Sequence, residues 1–292
     1  MNPSLRTALL GATLAFAGTA AHAIDIDAGD YTALPEGTNI AALYAQTAQR
    51  DQLYANGKRP AGSYGLDSNI GILRMIHFMK IAGFTVDPQF LLPFGRLEAK
   101  NDLAPALGNR SGVGDLILAA TVWLHEDAAK RSYFGITPFV YAPTGTYDAN
   151  KPLNLGENRW KTALQAAWLF GLGDKWTIDL AADVTAYGKN DKANAAGASL
   201  EQSATTQLQG FARYAMSPTW DLRGGLSYAH LGETKVAGVS RNDAANVTKF
   251  QLGTAAFVGP ATQLLVNVGR DLRVDNGFKE SARVNLRLLQ VF

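Results

Sequence analysis

Ser281-Ala282-Arg283-Val284-Asn285-Leu286-Arg287-Leu288-Leu289-Gln290-Val291-Phe292 closes the chain, and these residues divide into two sets. Ala282, Val284, Leu286, Leu288, Gln290 and Phe292 make one; Ser281, Arg283, Asn285, Arg287, Leu289 and Val291 make the other. A β-strand points successive side chains to opposite faces, so one face here is mostly apolar and the other carries two arginines and an asparagine. A strand of a soluble sandwich alternates in the same way, so the rest of the chain must decide.

The same period recurs upstream. Trp176, Ile178, Leu180, Ala182 and Val184 alternate with Thr177, Asp179, Ala181, Asp183 and Thr185. Leu264, Val266 and Val268 alternate with Gln263, Asn267 and Asp271, and Trp220, Leu222, Leu226 and Tyr228 oppose Asp221, Arg223 and Ser227. Twelve strands are read, near 39–48, 69–81, 84–97, 113–125, 132–143, 159–170, 175–187, 204–216, 219–231, 247–258, 262–272 and 280–292. Most are longer than the ~5–6 residues of an average soluble strand and reach the ~9–11 that a tilted strand needs to cross a bilayer. Short connections at 82–83, 126–131, 171–174, 217–218 and 259–261 alternate with longer polar ones at 49–68, 98–112, 144–158, 188–203 and 232–246. That is the asymmetry of outer-membrane barrels, with short periplasmic turns and long outer loops. An even strand count returns both ends to the periplasm.

The beginning of the chain agrees with export. Arg6 is the one charge before the apolar run Ala8 to Ala20, and Ala21-His22-Ala23 has the small-x-small form of a cleavage site. The run is too short for the ~20 residues of a membrane-spanning helix. Residues 1–23 are read as a cleaved signal peptide, 24–38 as a polar periplasmic lead-in and 39–292 as the barrel. There is no cysteine, so stability must come from something other than disulfides. Twenty-seven basic against twenty-five acidic residues give a net charge of +2, which offers no case for nucleic-acid binding.

The fold expected is therefore all-β, a transmembrane antiparallel β-barrel of the outer-membrane type with twelve strands. The last strand resembles the closing strand of such barrels, whose terminal aromatic, here Phe292, belongs to the assembly signal; Gln290 stands where a second aromatic is usual. The inward face is charged: Asp115, Asp179, Asp183, Arg213, Arg223, Lys249, Asp271, Arg283 and Arg287. Such charges must be hydrated or paired across the lumen. Left hydrated, the arginines would attract anions such as aromatic carboxylates. Trp160, Trp168, Phe170, Trp176, Tyr187, Tyr214, Trp220 and Tyr228 stand at strand ends, where interfacial girdles form.

Several motifs go beyond fold class. Asp67-Ser68-Asn69-Ile70-Gly71-Ile72-Leu73-Arg74, Gly112-Val113-Gly114-Asp115, Pro143-Thr144-Gly145-Thr146-Tyr147-Asp148 and Asn154-Leu155-Gly156-Glu157-Asn158-Arg159-Trp160 follow in order. Gly269-Arg270-Asp271 then precedes Asn276-Gly277-Phe278-Lys279. This series resembles the outer-membrane transporter family of the meta pathway of phenol degradation, over nearly all the mature chain. The resemblance implies passive passage of small hydrophobic or aromatic compounds linked to their degradation. It implies no cofactor and transfers no site residue.

Other readings of the same residues are weaker. Gly112-x-Gly114-Asp115 precedes a strand, whereas a phosphate loop precedes a helix. Glu157 and Arg159 read as members of a solvated outer loop or, folded inward, of a constriction. Asp25, Asp27 and Asp30 lack the fuller ligand loop ending in Glu that an EF-hand requires. Of His77, His125 and His230, only His230 has a serine near it on its strand, and Ser227 falls on the opposite face. No catalytic or metal site is assigned and the chain is not read as an enzyme; a structural or lipid-hydrolysing barrel without an open pore is the alternative. The expected partners are small hydrophobic or aromatic molecules, outer-membrane lipid and the assembly machinery.

Overall fold

The computed structural model describes residues 25–292; the signal peptide read over 1–23 lies outside them. Twelve antiparallel strands form the wall. They are β1 (Asn39–Tyr54), β2 (Tyr64–His77), β3 (Phe84–Asn101), β4 (Leu116–Asp127), β5 (Ser132–Ala142) and β6 (Lys161–Leu172). β7 (Trp176–Tyr187), β8 (Thr205–Ser217), β9 (Trp220–Leu231), β10 (Ala245–Phe257), β11 (Thr262–Val274) and β12 (Gly277–Val291) complete it. Each strand pairs with the next, and β12 pairs with β1, so the sheet closes on itself. At the seam the amide of Asn39 donates to the carbonyl of Phe292 at 2.8 Å, and the amide of Phe292 donates to that of Asn39 at 2.9 Å. Closure gives every wall strand a partner on both sides. That is the condition for survival in hydrocarbon, where no water can satisfy a free N–H or C=O.

The two faces are inverted relative to a soluble protein. Leu164, Leu208 and Leu226 point outward and are 51, 61 and 56% exposed, while Gln165 and Asn267 are 1 and 2% exposed. Apolar side chains meet lipid and polar ones fill the interior. Near the periplasmic rim Trp168 packs against Phe170 at 4.7 Å and Trp176 against Tyr214 at 4.9 Å. Tyr187 departs from the girdle expected of it. Its hydroxyl donates to the buried Thr205 and its ring lies beneath Arg159, so it faces the lumen.

Strands run further outward than the alternation suggests, because polar residues such as Glu98, Lys100, Asp51 and Gln52 occupy their upper ends and the apolar period fades. Asn109–Val113 continues β4 upward along β3 after a break at Gly114-Asp115. Two bulges matter for the lumen. Gln49 pairs with Ala282 but Arg50 pairs with Glu280, leaving Ser281 as the extra residue. One residue of slip turns the next side chains to the other face, so Glu280 enters the lumen. A second bulge at Leu272 leaves Asp271 opposite Lys249 and Arg273 opposite Thr248. The periplasmic turn Ala82-Gly83, with both φ positive at 51° and 88°, closes a two-residue hairpin.

Candidate functional site

The segment read as a periplasmic lead-in lies inside the barrel. Residues 25–35 run across the lumen, and inward side chains of β2 and of β5 through β12 bind them. Asp25 accepts from Arg283 at 2.7 Å, Gln207 at 2.8 Å and Lys249 at 3.4 Å. Asp27 accepts from Asn267 at 2.8 Å and Arg287 at 3.2 Å, and Asp30 from Arg287 at 2.7 Å and Arg74 at 3.0 Å. The backbone is held as closely. Arg223 donates to the Ala28 carbonyl at 2.6 Å, and the Gly29 amide donates to Asp179 at 2.8 Å. Gly29 has φ 98°, and a Cβ there would lie 3.2 Å from Arg213; a larger residue would strain the turn and crowd that guanidinium. The Tyr31 hydroxyl bonds Thr137 at 2.7 Å and Gln165 at 2.9 Å. Ile26, Ala28 and Tyr31 pack on Ala167, Ala181 and Phe211.

The segment read as a polar periplasmic lead-in is drawn into the lumen for an electrostatic reason. Three aspartates at spacings of two and three residues face a wall supplying Arg74, Lys249, Arg283 and Arg287. Burying those cations without counterions would cost several kcal/mol each, on the order of the effective penalty for a buried ion.

The inward residues read from the sequence now have places. Arg213 pairs with Asp179 at 2.8 Å, and Arg223 with Asp221 at 2.6 Å. Arg283 pairs with Glu280 at 2.8 Å as well as with Asp25, and Glu280 also holds Arg50 at 2.5 Å. Asp183 accepts from Gln165 at 3.3 Å and Gln209 at 3.5 Å, and Asp271 accepts the Glu280 amide at 2.7 Å. The belt's arginines are thus paired, largely by acids outside the sequence-derived set: Asp25, Asp27, Asp30, Asp221 and Glu280. Of these, the sequence shows Asp221 by its parity beside Arg223 and the other three aspartates as the run after the signal; Glu280 is hidden by the bulge.

Asp115 stands apart, at the outer end. Its two oxygens accept the amides of Gly145 and Glu157, both at 2.9 Å. Gly114, Gly145 and Gly156 meet backbone to backbone: a Cβ on Gly145 would lie 2.7 Å from Gly114 and from Gly156. The motifs around residues 112–115, 143–148 and 154–160, separate in sequence, therefore form one latch that folds loop 143–160 inward. Glu157 is buried and ion-paired with Arg159 at 2.7 Å and with Lys161. Arg159 lies over Tyr187 at 4.6 Å and Lys161 over Tyr141 at 4.4 Å. Burial pushes the Glu157 carboxyl up, but Lys161 and Arg159 outweigh it and hold it below the usual glutamate value. The solvated-loop reading of Glu157 and Arg159 gives way to the constriction.

The lumen is layered from outside to inside. Leu53, Leu66, Leu97, Leu103, Leu107, Leu153 and Phe278 form an apolar cluster under the outer loops. The ionic belt follows, with a cavity of about 120 Å³ beside Tyr31 and Arg74. Below the segment a chamber of about 570 Å³ is lined on one side by Ile40, Ile76, Phe78, Leu289 and Val291 and on the other by Arg131, Thr177 and Arg213.

The chain resembles known proteins over this whole architecture. The crystal structure of the COG4313 outer membrane channel from Pseudomonas putida F1 shares 42% identity, covers 92% of this chain and 100% of its own, and superposes with a TM-score of 0.88. The β domain of the Bordetella autotransporter BrkA (11% identity, 88% of this chain and 100% of that one, TM-score 0.51) shares the fold alone. So does the transport unit of the Escherichia coli autotransporter AIDA-I (9% identity, 96% and 97%, TM-score 0.52). None of the curated protein sequences compared matches. A family model described as the putative MetA-pathway of phenol degradation matches residues 49–288. On that match, and on 42% identity to a channel across its full length, the chain belongs to this family of bacterial outer-membrane β-barrel channels.

Proposed function

We propose that the protein is a passive outer-membrane channel for small hydrophobic or aromatic compounds, serving their degradation, with no energy coupling in this chain. The observation that carries this reading is the apolar cluster at the outer mouth. A hydrophilic porin keeps a polar lumen throughout, whereas here leucines and a phenylalanine form a buried layer beneath the outer loops on the side of β1, β2, β3 and β12. An apolar solute gains by leaving water there, at about 25 cal/mol per Å² buried. The belt beneath is internally paired and offers little net charge, which favours neutral cargo over anions. In this reading Arg213, Arg223, Arg283, Arg287, Asp179, Asp183 and Asp271 hold or surround the lumen segment, and Asp115 holds the latch.

Passage requires movement of one closure. Displacing residues 25–35 joins the outer cluster to the periplasmic chamber. Displacing loop 143–160 instead opens the interior toward lipid, because β5 ends at Ala142 and β6 begins at Lys161, and above Tyr141–Lys161 these strands share no ladder. The protein does no catalysis in this reading. His125 and Ser132 do bond at 3.1 Å on the exposed periplasmic rim, but Asp127 is engaged by the Lys130 amide and ammonium and does not orient the imidazole. Phe292, exposed at the seam, would serve assembly; Phe292→Ala, which keeps the backbone bonds to Asn39, should lower the folded yield in cells and leave refolding in detergent unchanged.

The test is solute flux into liposomes carrying the refolded mature chain, comparing a neutral monoaromatic, benzoate and a sugar of similar size. Faster uptake of the neutral aromatic is expected. Equal uptake of all three would mean a general porin, and no uptake by a folded barrel would remove the channel reading.

A further inference from the structure

We infer that the outer rim of β10–β12 is a binding site for a phosphorylated glycolipid of the outer leaflet, its phosphates held by Arg270, Arg273 and Lys279. The lipid-facing row of β11 runs Leu264, Val266, Val268 and then Arg270. One step further out, the bulge at Leu272 turns both Leu272 and Arg273 to the surface. Arg270 and Arg273 are exposed. Lys279 flanks the same two-residue outer turn from β12, half-buried, and donates one proton to the Leu272 carbonyl at 3.0 Å.

No carboxylate forms an ion pair with any of the three among the described residues. Of the nearby acids, Asp25 and Glu280 point inward and hold Lys249 and Arg283, Asp275 of the outer turn is engaged by the backbone and side-chain amides of Asn246, and Asp51 stands exposed on β1 beside Gln52, the partner of Lys279. The outward cations of β3 are, by contrast, matched: Glu98 takes Lys100 at 3.0 Å and Arg96 at 3.9 Å. Directly below the three cations of β11 and β12 lies apolar surface. Val268 pairs across with Leu252 and Val284, and the three are 48, 55 and 41% exposed. Arg270 stands two residues further out, about 7 Å at the rise of a strand. A ligand that satisfies both layers has acyl chains below and phosphate above, which is the chemistry of an anionic glycolipid and not of a free anion.

The test is native mass spectrometry of the refolded mature chain in detergent with three probes: a bisphosphorylated acylated disaccharide, its dephosphorylated form, and inorganic phosphate. The phosphorylated lipid should bind, its dephosphorylated form should bind far more weakly, and inorganic phosphate should not displace it. Heat-modifiable gel migration verifies folding of each variant. At about a tenfold loss per 1.4 kcal/mol and about 1 kcal/mol per cation near an anionic surface, the triple variant Arg270→Gln, Arg273→Gln, Lys279→Gln should bind the phosphorylated lipid roughly a hundredfold more weakly. Arg96→Gln should bind it as the parent does. If the triple variant does not fold, Arg270→Gln alone should lose about fivefold. Undiminished binding by the variants, equal binding of the dephosphorylated lipid, or displacement of the lipid by inorganic phosphate would each overturn the assignment.

Discussion

Two segments fold into this barrel, and they are held by different chemistry. The outer latch is a fit of backbones: Gly114, Gly145 and Gly156 touch where no side chain can intrude, and Asp115 joins them by accepting two amides. The inner closure is ionic: Asp25, Asp27 and Asp30 lie among arginines from β2 and β12 and a lysine from β10. A steric fit is lost by adding one carbon. An ionic fit is lost by removing one charge, and the partner left behind is then buried and unmatched. The two can therefore be broken separately.

The largest effect is expected at the inner closure. Arg287→Leu leaves Asp27 without its ion-pair partner and Asp30 with Arg74 alone, at a cost of about 3–5 kcal/mol for a broken buried pair. Single-channel recording should show larger and more frequent openings than in the parent, and a conductance unchanged from the parent would show that the segment does not block the path. Next is the outer latch. Gly145→Ala places a Cβ 2.7 Å from two backbones, an overpacking worth about 1–3 kcal/mol. Protease added to intact cells should then cut loop 143–160 and should leave the parent's loop intact.

A smaller effect separates the latch by pH. Glu157 has its folded value below the ordinary 4.5, so the stability it lends is complete above that value and is lost as pH falls below it. Protease sensitivity of loop 143–160 should rise between about pH 5 and about pH 3, the carboxylate range, and Glu157→Gln should flatten that rise. A steep rise in Glu157→Gln would place the titrating group elsewhere. The smallest effect is Tyr31→Phe, which removes two hydrogen bonds but no charge. About 1 kcal/mol is expected, read as a slight increase in opening frequency without a change in conductance.

Alternation alone locates every wall strand, because a strand with lipid on one side and a polar lumen on the other has two faces that differ at each step. The outward rows Leu264, Val266 and Val268 on β11 and Val284, Leu286 and Leu288 on β12 show this on adjacent strands. The inward charges are legible for the same reason, since Arg283, Arg287, Asp179 and Asp183 occupy the opposite parity.

Tertiary structure decides the rest. Period-2 reading fails at a bulge, so the inward turn of Glu280 beyond Ser281 is not legible. The upper ends of the strands are polar on the outward face, and on β1, β2, β3 and β12 apolar on the inward one, so the lipid-facing period is lost and they read as loops. Neither the partners of the lumen arginines nor the meeting of Gly114, Gly145 and Gly156 follows from local sequence, because both join residues that only the closed sheet brings together. What the amino-acid order determines by itself is which side chains face lipid and which face inward. Which inward charges neutralise one another, and that Asp25, Asp27 and Asp30 supply the counterions, is settled only when closure of the sheet brings β2, β10 and β12 around one buried space where an unpaired cation is costly to keep.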